Sequence, residues 1–482
     1  MRDIFDFRFW ILDLALVLVL GVSVLAAPVV DPFADTVISY SPGPSWYNYP
    51  GSEWTVPAKA LGAPVGGYVN MPDNSSIVTL GDGGKITLAF NTPIEDDPHN
   101  PYGLDFIVFS NAQFMGTNYL LRWQELAFVE ISQDGSTWYL IKPSIYPANL
   151  RACINGGSNP DPRNYDVGKS YTAVSGYAEY TPSVGLPQDL VRSPFPGVSR
   201  TAEELYTVPE RPSISGDNSV TSTIKFDYVS GGGDAFDIAD AIVETAPGVP
   251  LIVNNATVPA GIHSFAFVRL TDARTGDAWA ELKDVSAEID AVSRTRPALS
   301  IGEVKALPAG DYGLITEAIV TAVYPTEFFM ESPDRSAGMR VEWDAGFMVD
   351  DERAVQVGDK ITITGHISKA GGRFSFDDPM LSFTAIDQPL PKPLGMPIRS
   401  LASDMAYGLR VRTWGKIADP GNGWRFTISE DGRTVTVETD QYVEPKAAGT
   451  FVSATGIRDR EEGTGQTIIR VTDASTDLNT YP

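Results

Sequence analysis

Gly81-Asp82-Gly83-Gly84 leads into Lys85-Ile86-Thr87-Leu88-Ala89-Phe90, then an acidic loop Glu95-Asp96-Asp97, then Leu104-Asp105-Phe106-Ile107-Val108-Phe109-Ser110-Asn111. A further run, Leu126–Ser132, ends in the tight turn Gln133-Asp134-Gly135-Ser136 before Trp138-Tyr139. Apolar and polar residues alternate through Lys85–Phe90 and again through Ala127–Ile131, which gives each run one dry face and one wet face. Glycine, aspartate and proline mark the joins. This pattern predicts antiparallel β-structure.

The rest of the chain extends that reading. Glycine (44) and proline (36) are abundant among the 482 residues. With frequent valine, threonine and aromatic residues they favour strands and turns. Beyond the N-terminus no segment holds a helical apolar period for four turns, and only Asp234–Thr245 and Arg399–Met405 read as short helices. A chain of this length predicts several domains.

The formal charge is −25. A field of that sign repels phosphate backbones, so nucleic acid is not an expected partner. Cys153 is the sole cysteine, so no disulfide can close within the chain. Arg2 and Arg8 precede the apolar run Leu14–Ala27, and Val24-Leu25-Ala26 supplies small-residue spacing for cleavage. Residues 1–27 therefore read as a signal peptide, with no transmembrane anchor expected once it is removed. One cysteine plus an export signal suggests a secreted or cell-surface bacterial protein.

Residues 28–297 read as the first domain. Strands are expected near Val37–Tyr40, Ser76–Leu80, Lys85–Phe90, Asp105–Ser110, Leu126–Ser132, Ser222–Tyr228, Ser264–Thr271 and Ala287–Val292, with a long irregular loop over 143–222. Ala60-Leu61-Gly62-Ala63-Pro64, Leu80–Phe90, Leu104–Asn111, Gly232–Ala239, Phe267–Ala273 and Glu288–Val292 resemble the recurring segments of a bacterial secreted family usually called cell surface protein. The resemblance implies a β-sandwich similar in outline to galactose-binding or discoidin-like jelly rolls, and it covers the first domain alone. One family segment commonly reads Gly-Pro-Gly-Pro-Asp-Phe-x-Val-Phe-Glu-Asn, and Ser110 stands here in place of its glutamate. Fold resemblance of this kind does not settle activity.

Residues 298–391 and 392–482 read as two smaller β units of five strands each. Their Thr-Gly pairs at 364–365 and 455–456 lie 91 residues apart, which suggests a duplicated unit. Glycines interrupting the strands suit small barrels of the OB type, with a second small sandwich as the alternative. The joint Gln388-Pro389-Leu390-Pro391-Lys392-Pro393 reads as a semi-extended spacer.

Chemistry is sparsely signalled. His99, His263 and His366 are the only histidines, and no two have metal-ligand or triad spacing. No zinc-protease, nucleophile-elbow or phosphate-loop motif is present. Ca2+ takes six to eight oxygen ligands, which acidic loops at a sandwich edge supply. Asp96, Asp97, Asp105, Asn111, Asp234 and Asp237 are the candidate donors for a structural Ca2+. The alternative is that Asp105 and Asp237 cap turns or accept backbone N–H bonds.

Trp46, Tyr47, Tyr49 and Trp54 crowd one loop-like segment, so they either plug the sandwich edge or contact a glycan or a protein. Phe329, Arg335 and Arg340 lie where an OB-type barrel would present its ligand face, while the acids nearby favour a spacer or adhesion role for that cluster. The sequence thus predicts an all-β chain, a jelly-roll-like β-sandwich followed by two small OB-like β-barrels. The expected function is an exported, non-catalytic cell-surface protein that binds a glycan or another envelope component through sandwich loops. A secreted hydrolase of glycosides or nucleic acid with accessory β modules is one alternative. A purely structural envelope component is another, and oligomeric state is left open.

Overall fold

Lys85–Glu95 lengthens the alternating run Lys85–Phe90 into one long strand, and other strands pair along both of its edges. The computed structural model describes residues 30–45, 48–65, 76–115, 118–123, 125–143, 176–179, 183, 200–210, 229–273, 286–349 and 353–481. The signal-peptide reading, the expected strand Ser222–Tyr228 and most of 143–222 lie outside these residues.

Among the described residues the first domain is built on two facing sheets. One runs Thr36–Ser41, Lys85–Glu95, Ser264–Asp272, Ala127–Ser132, Tyr139–Ile141, Ala241–Ala246 and Val249–Pro250, with Tyr177–Ala178 paired to Ala127–Ser132. The other runs Asp234–Phe236, Phe106–Ser110, Glu288–Arg294 and Val78–Thr79. Every pairing in both is antiparallel. Leu88, Val129 and Val268 from the first sheet meet Phe106, Val108, Ile289 and Val292 from the second in one core. This is the sandwich that the alternation predicts.

Phe106–Ser110 is apolar almost throughout because both of its faces are covered. Phe106 and Val108 belong to the main core, while Ile107 and Phe109 pack with Leu205 and Tyr206. Leu205 ends the one-turn helix Ala202–Leu205, which Thr201 and Glu204 close with a capping box. Gly233 (φ +79°) passes so close to this strand that a Cβ there would lie 2.8 Å from the Phe109 ring.

The expected helix over Asp234–Thr245 does not form. Strand Asp234–Phe236, a 3-10 turn Ile238–Asp240 and strand Ala241–Ala246 take its place. Asp237 accepts the Ala239 N–H at 2.7 Å, and residues 241–243 pair with Tyr139–Ile141 in the sheet. Arg399–Met405 holds two 3-10 turns rather than a helix, Ile398–Ser400 and Asp404–Ala406.

Both smaller units close into barrels. In the first, Tyr312–Tyr324 pairs with Glu327–Glu331 and with Lys360–Ser368, and Gly338–Glu342 runs parallel to Ser375–Phe376. In the second, Arg410–Asp419 pairs with Arg425–Glu430 and Phe451–Arg460, and Arg433–Thr439 runs parallel to Thr467–Val471. Each ring has the strand order 1-2-3-5-4-1, so the duplicated OB-like reading holds at the level of topology.

Sandwich and barrels form one unit over Pro32–Pro482. Val208 and Val229 of the sandwich pack on Leu314 and Met380 of the first barrel. His366 of the barrel lies between Glu204 (2.9 Å) and Asp378 (2.7 Å), and the buried Arg200 guanidinium bonds Asp378 at 2.7 Å.

Candidate functional site

Asp96, Asp105 and Asp237 converge at one rim of the sandwich, and an oxygen from each lies within 4.8 Å of the others. Asp96 and Asp237 sit in the loops after strands Lys85–Glu95 and Asp234–Phe236, and Asp105 immediately precedes Phe106–Ser110. Asp105 is 1% exposed. Its carboxylate accepts the Asp97 N–H at 3.0 Å, the Asn100 amide at 2.9 Å and the Ile238 N–H at 2.9 Å. Burial nevertheless pushes its pKa up to about 6, with the Asp237 charge adding to the rise. Asp237 is also raised, first by burial.

Asn100 supplies an independent sign. Its Nδ2 is held on Asp105, yet its Oδ1 is buried without any hydrogen-bond donor. This orphaned amide oxygen belongs to a residue bonded to Asp105, and with the three carboxylates it would offer oxygen ligands of the kind Ca2+ takes.

Three other sequence candidates go elsewhere. Asp97 turns to His99, accepting its N–H at 2.9 Å and facing its ring at 2.8 Å. The His99 N–H is the main contact that holds this carboxyl below its ordinary value. Asp234 is a paired residue of an edge strand, opposite Val108. Asn111 bonds the side chain of Glu288 instead.

That glutamate belongs to a second convergence which the sequence reading missed. Glu125, Glu179 and Glu288 offer oxygens within 4.8 Å of one another, and Glu179 and Glu288 are buried. The Glu288 N–H donates to Glu179 Oε2 at 2.6 Å, and the Ser286 N–H to Glu125 Oε2 at 2.9 Å. All three pKa values are raised, first by burial. Repulsion from Glu288 adds to the rise at Glu125 and Glu179, and repulsion from Asp272 adds at Glu288. Among the described residues no cationic side chain pairs with them. Their positions share no local spacing, and the one available signal was Glu288 inside the segment Glu288–Val292.

The aromatic candidates also divide. Trp46 and Tyr47 lie outside the described residues. Tyr49 is 55% exposed, and Trp54 is partly exposed in a 3-10 turn capped by Ser52.

Phe329 and Arg340 are not on an open face. Strand alternation turns Phe328 into the first barrel's core and Phe329 outward onto the second barrel, against Ile457. Arg340 pairs with Glu327, which also takes Arg373 at 3.3 Å and Arg470. Arg373 and Arg470 reach Asp459 at 3.1 and 3.2 Å, so these residues join the barrels. The expectation of a ligand face there is corrected, because the neighbouring barrel covers it. Arg335 lies on an exposed turn with φ 63° and bonds the Lys392 carbonyl at 3.3 Å.

No protein-family profile and no curated protein matches this chain. Solved structures give distant likenesses. A protein assigned as an aspartyl-tRNA synthetase from Leishmania major Friedlin aligns at 9% identity over 20% of this chain and 22% of its own, with TM-score 0.15. The hypothetical protein ygiW from E. coli aligns at 15% identity over 18% of this chain and 91% of its own, with TM-score 0.16. The Ifi202 HINa domain, solved with double-stranded DNA, aligns at 14% identity over 36% of this chain and 97% of its own, with TM-score 0.20. The chain spans under a quarter of the synthetase's length, and no argument rests on similarity this low.

Proposed function

We propose that this chain is an exported, non-catalytic cell-surface protein that binds a glycan or another envelope component, with Ca2+ bracing the sandwich rim. The observation that carries the reading is the Asp96, Asp105 and Asp237 convergence with the orphaned Asn100 oxygen. Ca2+ would neutralise the buried Asp105 and fix the loop that connects Lys85–Glu95 to Phe106–Ser110. Exposed Tyr49 and partly exposed Trp54 supply aromatic surface for a sugar ring. Among the described residues no helix is long and apolar enough to cross a membrane.

A glycan array of the mature chain, run with Ca2+ and with EDTA, tests this. Glycan binding that weakens in EDTA is the expected result. Binding to no glycan or envelope fraction in either buffer would refute it.

A secreted hydrolase is the second reading, because Glu125, Glu179 and Glu288 are close and desolvated as acid–base pairs are. Burial of Glu179 and Glu288 argues against access by a polymer. Polysaccharide or nucleic-acid cleavage abolished by Glu125→Gln would favour it.

A further inference from the structure

The two barrels differ at the end where strand 1 turns into strand 2 and strand 3 leads into strand 4. In the first barrel the chain plugs its own mouth. Trp343, 1% exposed, meets Phe328 at 6.0 Å and Phe347 at 5.6 Å, both edge-on, in the barrel core. In the second barrel the same end stays open. Ile417, Phe426, Val452 and Leu478 floor a cavity of about 160 Å3, with Glu444 and Asn479 among its polar lining. Cavities of about 150 Å3 admit one six-membered ring.

Trp424 and Tyr442 are the chain neighbours of the lining residues Gly423 and Val443; they are 50% and 61% exposed and lie edge to face at 6.2 Å. They are held, not dangling. The Val443 N–H donates to Gly423 O at 2.8 Å, and the Thr439 N–H to Trp424 O at 2.9 Å. Gly423 (φ +87°) lets the Tyr442 ring lie directly on the turn, where a Cβ would strike it. Rigid exposed aromatics beside a ring-sized apolar cavity are suited to ligand contact.

We propose that the mouth of the second barrel binds one ring of a neutral saccharide bearing a methyl or N-acetyl group, an inference that rests on the glycan-binding reading above. The apolar floor takes the methyl. Trp424 stacks on the ring, Tyr442 meets its edge, and Glu444 and Asn479 bond its hydroxyls. Lys446 also lines the cavity, but Glu444 offsets its charge there and the net charge of −25 disfavours acidic sugars.

Saturation-transfer NMR on the mature chain with methyl fucoside, N-acetylglucosamine and glucose tests the proposal. The strongest saturation is expected at the methyl protons of the first two. Affinity should fall about tenfold in Trp424→Ala and Tyr442→Ala, with Ile252→Ala, an exposed apolar position of the sandwich, unchanged. Both rim residues are exposed, so unchanged melting temperatures will show that the variants fold. Sugar binding that survives both rim substitutions overturns the site but leaves the glycan reading standing. Silence of all three sugars here and on the array overturns both. Indole binding at the mouth without sugar binding also overturns the proposal and points to an aromatic side chain of a protein partner.

Discussion

Phe329→Ala separates the two roles open to the second strand of the first barrel. The ring is fully buried and packs with Ala322, Tyr324 and Ile457, with the Arg470 guanidinium 5.7 Å from its centre. Removing a buried phenylalanine costs about 3–5 kcal/mol, from lost transfer free energy and the cavity left behind. Ile457 belongs to the other barrel, so part of that loss is adhesion between barrels. A unit the size of the barrel pair loses about 2–4 °C per kcal/mol, which places the expected fall in melting temperature near 10 °C. Differential scanning calorimetry on the full chain reads this, and limited proteolysis should cut faster near Gln388–Pro393. A fall below about 2 °C would refute the reasoning, since it would mean under 1 kcal/mol of packing. Loss of glycan binding in the same variant would return Phe329 to a ligand role.

Two buried charges give further expected outcomes. Burial lifts Asp105 to about 6 from 3.8, so between those values the native state holds more protons than the unfolded chain. Stability of the metal-free protein should therefore fall as pH rises through that window, while stabilisation by Ca2+ grows. Asp105→Asn should flatten the first trend and remove the second, and a Ca2+-induced melting shift that persists in the variant would refute the site. Lys305 donates to the carbonyls of Gly338 (3.3 Å), Asp404 (3.0 Å) and Tyr407 (3.2 Å), and burial lowers its pKa from 10.5 to about 8. The unfolded chain then holds more protons between those values, so this group makes stability rise with pH there. Lys305→Met should flatten that rise in urea denaturation at pH 8 and 10, and an unaltered slope would show that Lys305 is not the group responsible.

Strand identity was legible because it depends on neighbours in sequence. Alternation in Lys85–Phe90, turn residues at 81–84 and 133–136, and the repeated Thr-Gly pairs near the barrel strands required no knowledge of distant contacts. Where several structures suited one local sequence, pairing partners decided. Asp234–Thr245 became two strands because Val108 and Leu140 lie opposite Asp234 and Ile242.

Candidate sites divided in the same way. Asp96 and Asp105 bracket one short connection between strands, and Asp237 comes soon after a recognisable glycine run, so their loops could be named in advance. Glu125, Glu179 and Glu288 have no shared motif, and only the folded sheets bring them together. Phe329 and Arg340 had the residue types of a ligand surface, but the second barrel covers them. Sequence determined which segments become strands and which loops carry acids, since period and turn chemistry act over a few residues. Tertiary structure alone decided which acids converge, which aromatic rings are covered and which barrel mouth stays open, because burial depends on surfaces contributed from far along the chain.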